Sequence, residues 1–205
     1  RDEQNARGLL LLARIYRQTG NWQKLQELEP RLRTTKGIDT SVADETVAQI
    51  YLDRLKAAGA SADSDALRSA WKSMPRSLTK RTDIVVAYAR AAIACRESDV
   101  AEKELRDLLN TQWDEAAVTV YGELETSVPL QTLERAEGWL PVHSEDPALL
   151  LTCARLSMRA ELYGKARSYL ETSIAIRPRL DAYQLLANLM EQLGERDRAL
   201  RALTG

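Results

Sequence analysis

The chain has 205 residues, with 29 Lys and Arg against 30 Asp and Glu and a formal net charge of −1, which argues against nucleic acid or an anionic membrane surface as a partner of the bulk charge. With 44% apolar and 29% charged residues it reads as a folded globular chain, and no apolar run approaches the length of a membrane span. Phenylalanine is absent. Leu, Ala, Arg and Glu dominate, which favours helix, and no alternating β-branched run marks a strand.

The first helix is predicted over residues 6–19, with Leu9, Leu12, Ala13 and Tyr16 on one face. Gly20 closes it and Asn21 caps the next, over 22–34, where Pro30 is expected to introduce a kink. A third helix is expected over 41–58, followed by a small-residue loop at 59–64 and a fourth helix over 65–74 that Pro75 stops. Arg76 to Thr82, with Lys80 and Arg81, reads as a basic linker, more often solubilising than functional. A fifth helix starts at Asp83 and a sixth at Ser98 or Asp99. Short helices follow over 114–124 and 129–140, then two helix pairs, 147–160 with 163–176 and 180–193 with 196–203.

The last two pairs are copies at an offset of 33 residues: Ala154 leads to Ala166 and Leu170, and Ala187 leads to Ala199 and Leu203. The same twelve-residue step joins Ala89 to Ala101 and Ala13 to Leu25, and Ala48-Gln49-Ile50-Tyr51 is a weaker copy. Small residues at the crossing let helix backbones approach, while Leu and Tyr fill the sides. Each unit leaves an apolar face that only its neighbour covers, which is the logic of a solenoid. The clearest units are 6–37, 83–112, 147–179 and 180–205 of a single domain spanning 1–205. A solenoid usually binds rather than catalyses.

Sequence chemistry agrees. The one histidine, His143, lies between Pro141 and Ser144, and no Gly-x-Ser-x-Gly accompanies it. Cys95 and Cys153 have no metal-ligand spacing and no disulfide framework around them; they read as buried free thiols of a reducing compartment. No catalytic residue and no metal site is expected. Acidic pairs such as Glu102/Glu104 and Asp114/Glu115 read as solvated faces. The chain begins at Arg1 rather than methionine, shows no signal peptide, and reads as a piece of a longer protein.

In 147–180 the positions of Leu150, Ala154, Tyr163, Ala166, Leu170 and Pro178 resemble the tetratricopeptide repeat signature, with Cys153, Ser157 and Glu161 departing from it. The resemblance implies an all-α fold, a right-handed superhelix of degenerate tetratricopeptide hairpins (an α-solenoid). A narrower resemblance covers nearly the whole chain. The run Ala13 to Trp22 with Leu-Glu-Pro30, Ala66 to Lys72 before the basic linker, Trp113-Asp114, and Asp146 to Leu150 are similar to the C-terminal part of HemY-type proteins of bacteria. That resemblance implies a bacterial inner-membrane protein anchored through N-terminal helices outside this piece, with this domain on the cytoplasmic side. It also implies a non-enzymatic scaffold that organises or regulates haem-biosynthesis enzymes, with haem or porphyrin contact as the alternative. Nothing here is similar to the glycine-rich fingerprint of a flavin enzyme.

The residue after each alignment alanine is Arg14, Arg90, Arg155 and finally Asn188. In tetratricopeptide arrays that position faces the concave groove. A row of guanidinium forks there, with Arg17 and Arg159 one turn away, suits carboxylates of an acidic peptide segment or of a porphyrin. The competing expectation is that each Arg pairs with an acidic neighbour from the adjacent repeat. His143 enters only as a haem ligand suggested by the family.

Overall fold

The computed structural model describes residues 2–204, with side chains over 5–194. Among the described residues there are eleven helices and no strand. They form two compact units, residues 1–97 and 98–205.

The first unit holds α1 (Asp2–Gln18), α2 (Trp22–Thr34), α3 (Thr40–Ser61), α4 (Ser64–Ser73) and α5 (Thr82–Ala94). Here α2 packs on both α1 and α3, and α4 on both α3 and α5. Each second helix of a hairpin therefore wedges between two successive first helices, and α1, α3 and α5 form one layer. The second unit holds α6 (Ser98–Leu109), α7 (Glu115–Tyr121), α8 (Pro129–Glu137), α9 (Pro147–Arg159), α10 (Tyr163–Ile176) and α11 (Leu180–Thr204). In it α7 and α8 pack on α9, and α10 lies against both α9 and α11. This is the helical-repeat architecture read from the spacing. Five of the alignment residues sit at the crossings, Ala13, Ala48, Ala89, Ala154 and Ala166 being buried to within 1%, whereas Ala187, expected at the same register of the last unit, is exposed.

The hairpin turns share one mechanism. Gly20, Ala62, Arg96 and Glu161 all adopt positive φ, at 64°, 50°, 59° and 58°. In each case the following residue donates its N–H to the carbonyl five residues back: Asn21 to Tyr16, Asp63 to Ala58, Glu97 to Ala92 and Leu162 to Ser157, at 2.8–2.9 Å. This is the Schellman closure of a helix end. The positive-φ residue follows the repeat alanine by seven positions in three hairpins, and by fourteen in α3, which is about two turns longer.

Three expectations are corrected. The loop at 59–64 is largely helix, since α3 continues to Ser61. Gly59 serves packing there: a Cβ on it would lie 3.0 Å from Ala91 Cα, so its absence lets α3 and α5 touch. The pair 180–193 and 196–203 is one helix, α11. The stretch 195–203 contains no proline to stop a helix, and continuing one helix avoids nucleating a second. The side chains of Ala199 and Leu203 lie outside the described residues. Finally, Leu12 is exposed, and the buried face of α1 runs through Ala6, Leu9 and Ala13. Pro30 lies inside α2, which continues through it to Thr34.

Candidate functional site

Burying Ala13, Ala89 and Ala154 turns the next side chain about 100° around the helix, away from the crossing. Arg14 and Arg90 are exposed accordingly and Arg155 is half-buried, while in the last unit both Ala187 and Asn188 are exposed. In the first unit the α1–α3–α5 layer carries two concavities along this register.

The larger, a cavity of about 570 Å³, lies between α3 and α5. Leu52, Leu55, Val86, Ala87 and Ala91 make its apolar floor, and Lys56, Arg90 and Asp83 its polar rim. It opens beside the close approach of Gly59 and Ala91. Asp83 is already engaged: Arg81 Nη2 donates to it at 2.8 Å, and that guanidinium is the chief reason its carboxyl is held below the usual range. Arg81 also reaches Glu45 at 2.9 Å. The basic linker thus places Arg81 in a local ion-pair network, while Arg90 and Lys56 have no ion-pair or hydrogen-bond partner among the described residues.

The smaller concavity, about 370 Å³, lies between α1 and α3 and is lined by Leu10, Arg14, Arg17, Gln18, Thr46 and Asp53. Arg17 Nε donates to Asp53 Oδ2 at 2.6 Å, and Gln49 Nε2 donates to Asp53 Oδ1 at 3.1 Å. Asp53 is therefore occupied, and Arg14 has no such partner among the described residues.

The second unit divides its arginines in the same manner. Arg159 donates Nη1 to Gly122 O at 2.6 Å and Nη2 to Glu123 O at 3.2 Å, closing the C-terminal end of α7. Burial pushes its pKa down. Arg155 Nη1 is buried with no hydrogen-bond partner. Among the described residues the positions next to the alanines (Arg14, Arg90, Arg155) thus have no ion-pair partner, whereas the flanking Arg17 and Arg159 are consumed by structure.

His143 stacks on Trp113, with ring centroids 3.6 Å apart and planes at 9°. Trp113 Nε1 donates to Asp146, which in turn caps α9 by accepting from Ala148 and Leu149. The imidazole thereby joins an aromatic cluster with Trp139 and Tyr121. Glu102, expected on a solvated face, is 5% exposed and accepts from Tyr121 Oη at 2.8 Å, with Arg106 and Arg135 beside it. A buried carboxylate must be paired, and two guanidiniums and a phenol do this. Asp114 caps α7. Of the two thiols expected to be buried, Cys153 is and Cys95 is only partly so; burial pushes the Cys153 thiol up to about 12 and raises that of Cys95. Among the described residues no group of three or more His, Cys, Asp or Glu side chains could hold a metal ion. No helix among them is long and apolar enough to cross a membrane.

Lys56 escaped the sequence reading. It lies seven residues after Gln49, the residue following the repeat alanine Ala48, and so shares that helical stripe two turns on. Continuing the register along the longer α3 would have found it.

What the fold defines is an all-α helical-repeat protein. No protein-family model matches the chain. It is similar to Protein HemY of Escherichia coli strain K12, with 24% identity over 191 residues, covering 93% of this chain and 48% of that protein. The HemY proteins of Escherichia coli O157:H7 and of Shigella flexneri match to the same extent. The chain spans about half the length of the curated relatives it matches.

Proposed function

We propose that this chain is the repeat domain of a HemY-like, membrane-associated protein that works without catalysis, docking an acidic segment of a haem-biosynthesis enzyme on the α1–α3–α5 layer. The observation that carries this reading is the pairing of an apolar cavity with cations that have no hydrogen-bond or ion-pair partner among the described residues, Arg90 and Lys56 at one concavity and Arg14 at the other. Fixed guanidinium forks bind carboxylates bidentately, and an apolar floor beside them accepts the aliphatic or aromatic side chain that gives such a contact its affinity. In this reading the full-length protein sits in the bacterial inner membrane with the repeats in the cytoplasm.

The test is a photo-crosslinking amino acid at Ala87, on the cavity floor, in the full-length protein in its own host. The expected product is a crosslink to a haem-pathway enzyme that weakens when Arg90 and Lys56 become Ala. Crosslinks that ignore those substitutions contradict the reading.

A cavity of about 570 Å³ also falls in the range of small-ligand sites. A porphyrin, with an apolar ring and carboxylate arms, is the second reading. Titration with haemin separates the two: a saturable Soret shift lost in the Arg90→Ala/Lys56→Ala variant supports the porphyrin.

A further inference from the structure

Helix α9 is enclosed on nearly every side. From Ala148 to Ser157 each residue is buried except Arg155, which is half-buried. A guanidinium always carries a charge and five N–H donors, and it accepts nothing. Sunk in protein, it needs acceptors for those donors. Arg155 has none: its Nη1 is shut off from solvent without a hydrogen-bond partner, and no ion pair reaches it among the described residues.

Its neighbours along the helix are satisfied. Thr152, Arg155 and Arg159 fall at i, i+3 and i+7, on one stripe of α9. The Thr152 hydroxyl donates to Val118 O at 2.8 Å, and Arg159 donates to Gly122 O at 2.6 Å and to Glu123 O at 3.2 Å. The stripe thus follows α7 and its C-terminal end, with Arg155 between two satisfied donors. The charges along it are unbalanced as well. Burial is the main reason the Arg159 pKa is lowered; Glu125 and Glu123 oppose the shift, and the like charge of Arg155 adds to it. Neither acid closes an ion pair with Arg155 or Arg159 among the described residues. Glu125 is exposed, so water screens its charge.

We propose that the seam between α7 and α9 is a carboxylate site, in which Arg155 supplies the hydrogen-bond donors and Arg159 a second positive charge. Half-buried Glu123 offsets part of those two charges, so the surplus suits one negative charge rather than the two of a phosphate dianion. A planar carboxylate also matches the guanidinium fork. Holding a charged donor in protein without an acceptor is costly, and an arriving carboxylate recovers that cost. The site lies in the second unit and shares no residue with the docking surface proposed for the first, so either can fail alone.

Nuclear magnetic resonance of the 205-residue chain tests it at constant ionic strength, with acetate, inorganic phosphate and an end-blocked glutamate tripeptide as probes. Acetate is expected to shift the Arg155 side-chain N–H and the Gly122 amide saturably, and phosphate to shift them only at higher concentration. Arg155→Lys, which keeps the charge but loses the fork, weakens acetate about tenfold or more. Arg155→Met abolishes binding yet raises the thermal unfolding midpoint of the ligand-free chain, because a buried charge without a partner is removed. That pair of effects separates a site from a structural arginine, whose loss lowers the midpoint. Tighter binding of the tripeptide than of acetate assigns the ligand to a polypeptide; equal or weaker binding assigns it to a free organic acid. Three results overturn the proposal: no saturable shift from acetate or the tripeptide, tighter binding of phosphate than of either carboxylate, or an Arg155→Met chain that is destabilised or fails to fold.

Discussion

Replacing Arg96 and Glu161 with glycine should stabilise the protein. Both residues sit at hairpin turns with φ near 59° and 58°. An L-residue in the left-handed region costs about 1–2 kcal/mol, because its Cβ crowds the following carbonyl. Glycine removes that strain but gives the unfolded chain extra freedom, which returns about 0.5–1 kcal/mol. Both side chains are exposed, and neither makes a hydrogen bond or ion pair among the described residues, so little else is lost. The net gain is about 0.5–1 kcal/mol for each substitution, or about 1–4 °C in the melting midpoint of a chain this size. Thermal unfolding followed at the helical circular-dichroism band reads it. Gly20→Ala is the mirror control: the nearest atom to its added Cβ is 3.9 Å away, so its cost is backbone strain alone, about 1 kcal/mol in the opposite direction. If both glycine substitutions destabilise while Gly20→Ala is neutral, the common turn mechanism is wrong.

Gly122 marks a different constraint. A Cβ there would lie 2.7 Å from Thr152 Oγ1 and 3.0 Å from Thr152 Cα, where α9 crosses α7 and the Thr152 hydroxyl donates to Val118 O at 2.8 Å. Gly122→Ala should force these helices apart and cost about 1–3 kcal/mol in urea unfolding. Cys153 supplies a pH test. Its folded pKa is raised by burial from 9.0 to about 12, so its contribution is intact below pH 9 and is lost as pH rises towards 12. Between pH 8 and pH 10.5 wild type should lose about 2 kcal/mol more than Cys153→Ala, from the free energy of holding that thiol protonated. Equal alkaline losses in the two proteins contradict the assignment. Thiol titration should correspondingly modify Cys153 only after unfolding.

The helical hairpins and their order were legible because apolar spacing and small crossing residues act locally. Ala13, Ala89 and Ala154 could be aligned by eye, and all are buried. The extent of α3 was not legible, since Gly59 to Ser64 has loop composition and only contact with Ala91 reveals why a glycine suits a helix there. The fate of individual charges was likewise hidden. Arg17 is neutralised by Asp53, 36 residues on, and Glu102 is buried by Tyr121 and Arg135, none of which a single helical face can show. His143 joined its aromatic cluster through a stack on Trp113, 30 residues away, that no sequence spacing announces. The register did single out Arg14, Arg90 and Arg155, and these lack the acidic neighbours that hold Arg17, while Lys56 needed the true length of α3 to come into view.

The most direct measurement is calorimetric titration of purified haem-biosynthesis enzymes with this chain and with its Arg14→Ala/Lys56→Ala/Arg90→Ala variant. Each exposed charge pair contributes about 0.2–1 kcal/mol, more where the cavity excludes water, so at least one enzyme should bind wild type and lose about tenfold or more in affinity to the triple variant. Binding should also weaken as salt is raised. Equal affinity for the two proteins, or haemin binding that the triple substitution abolishes while no enzyme binds, would contradict the account.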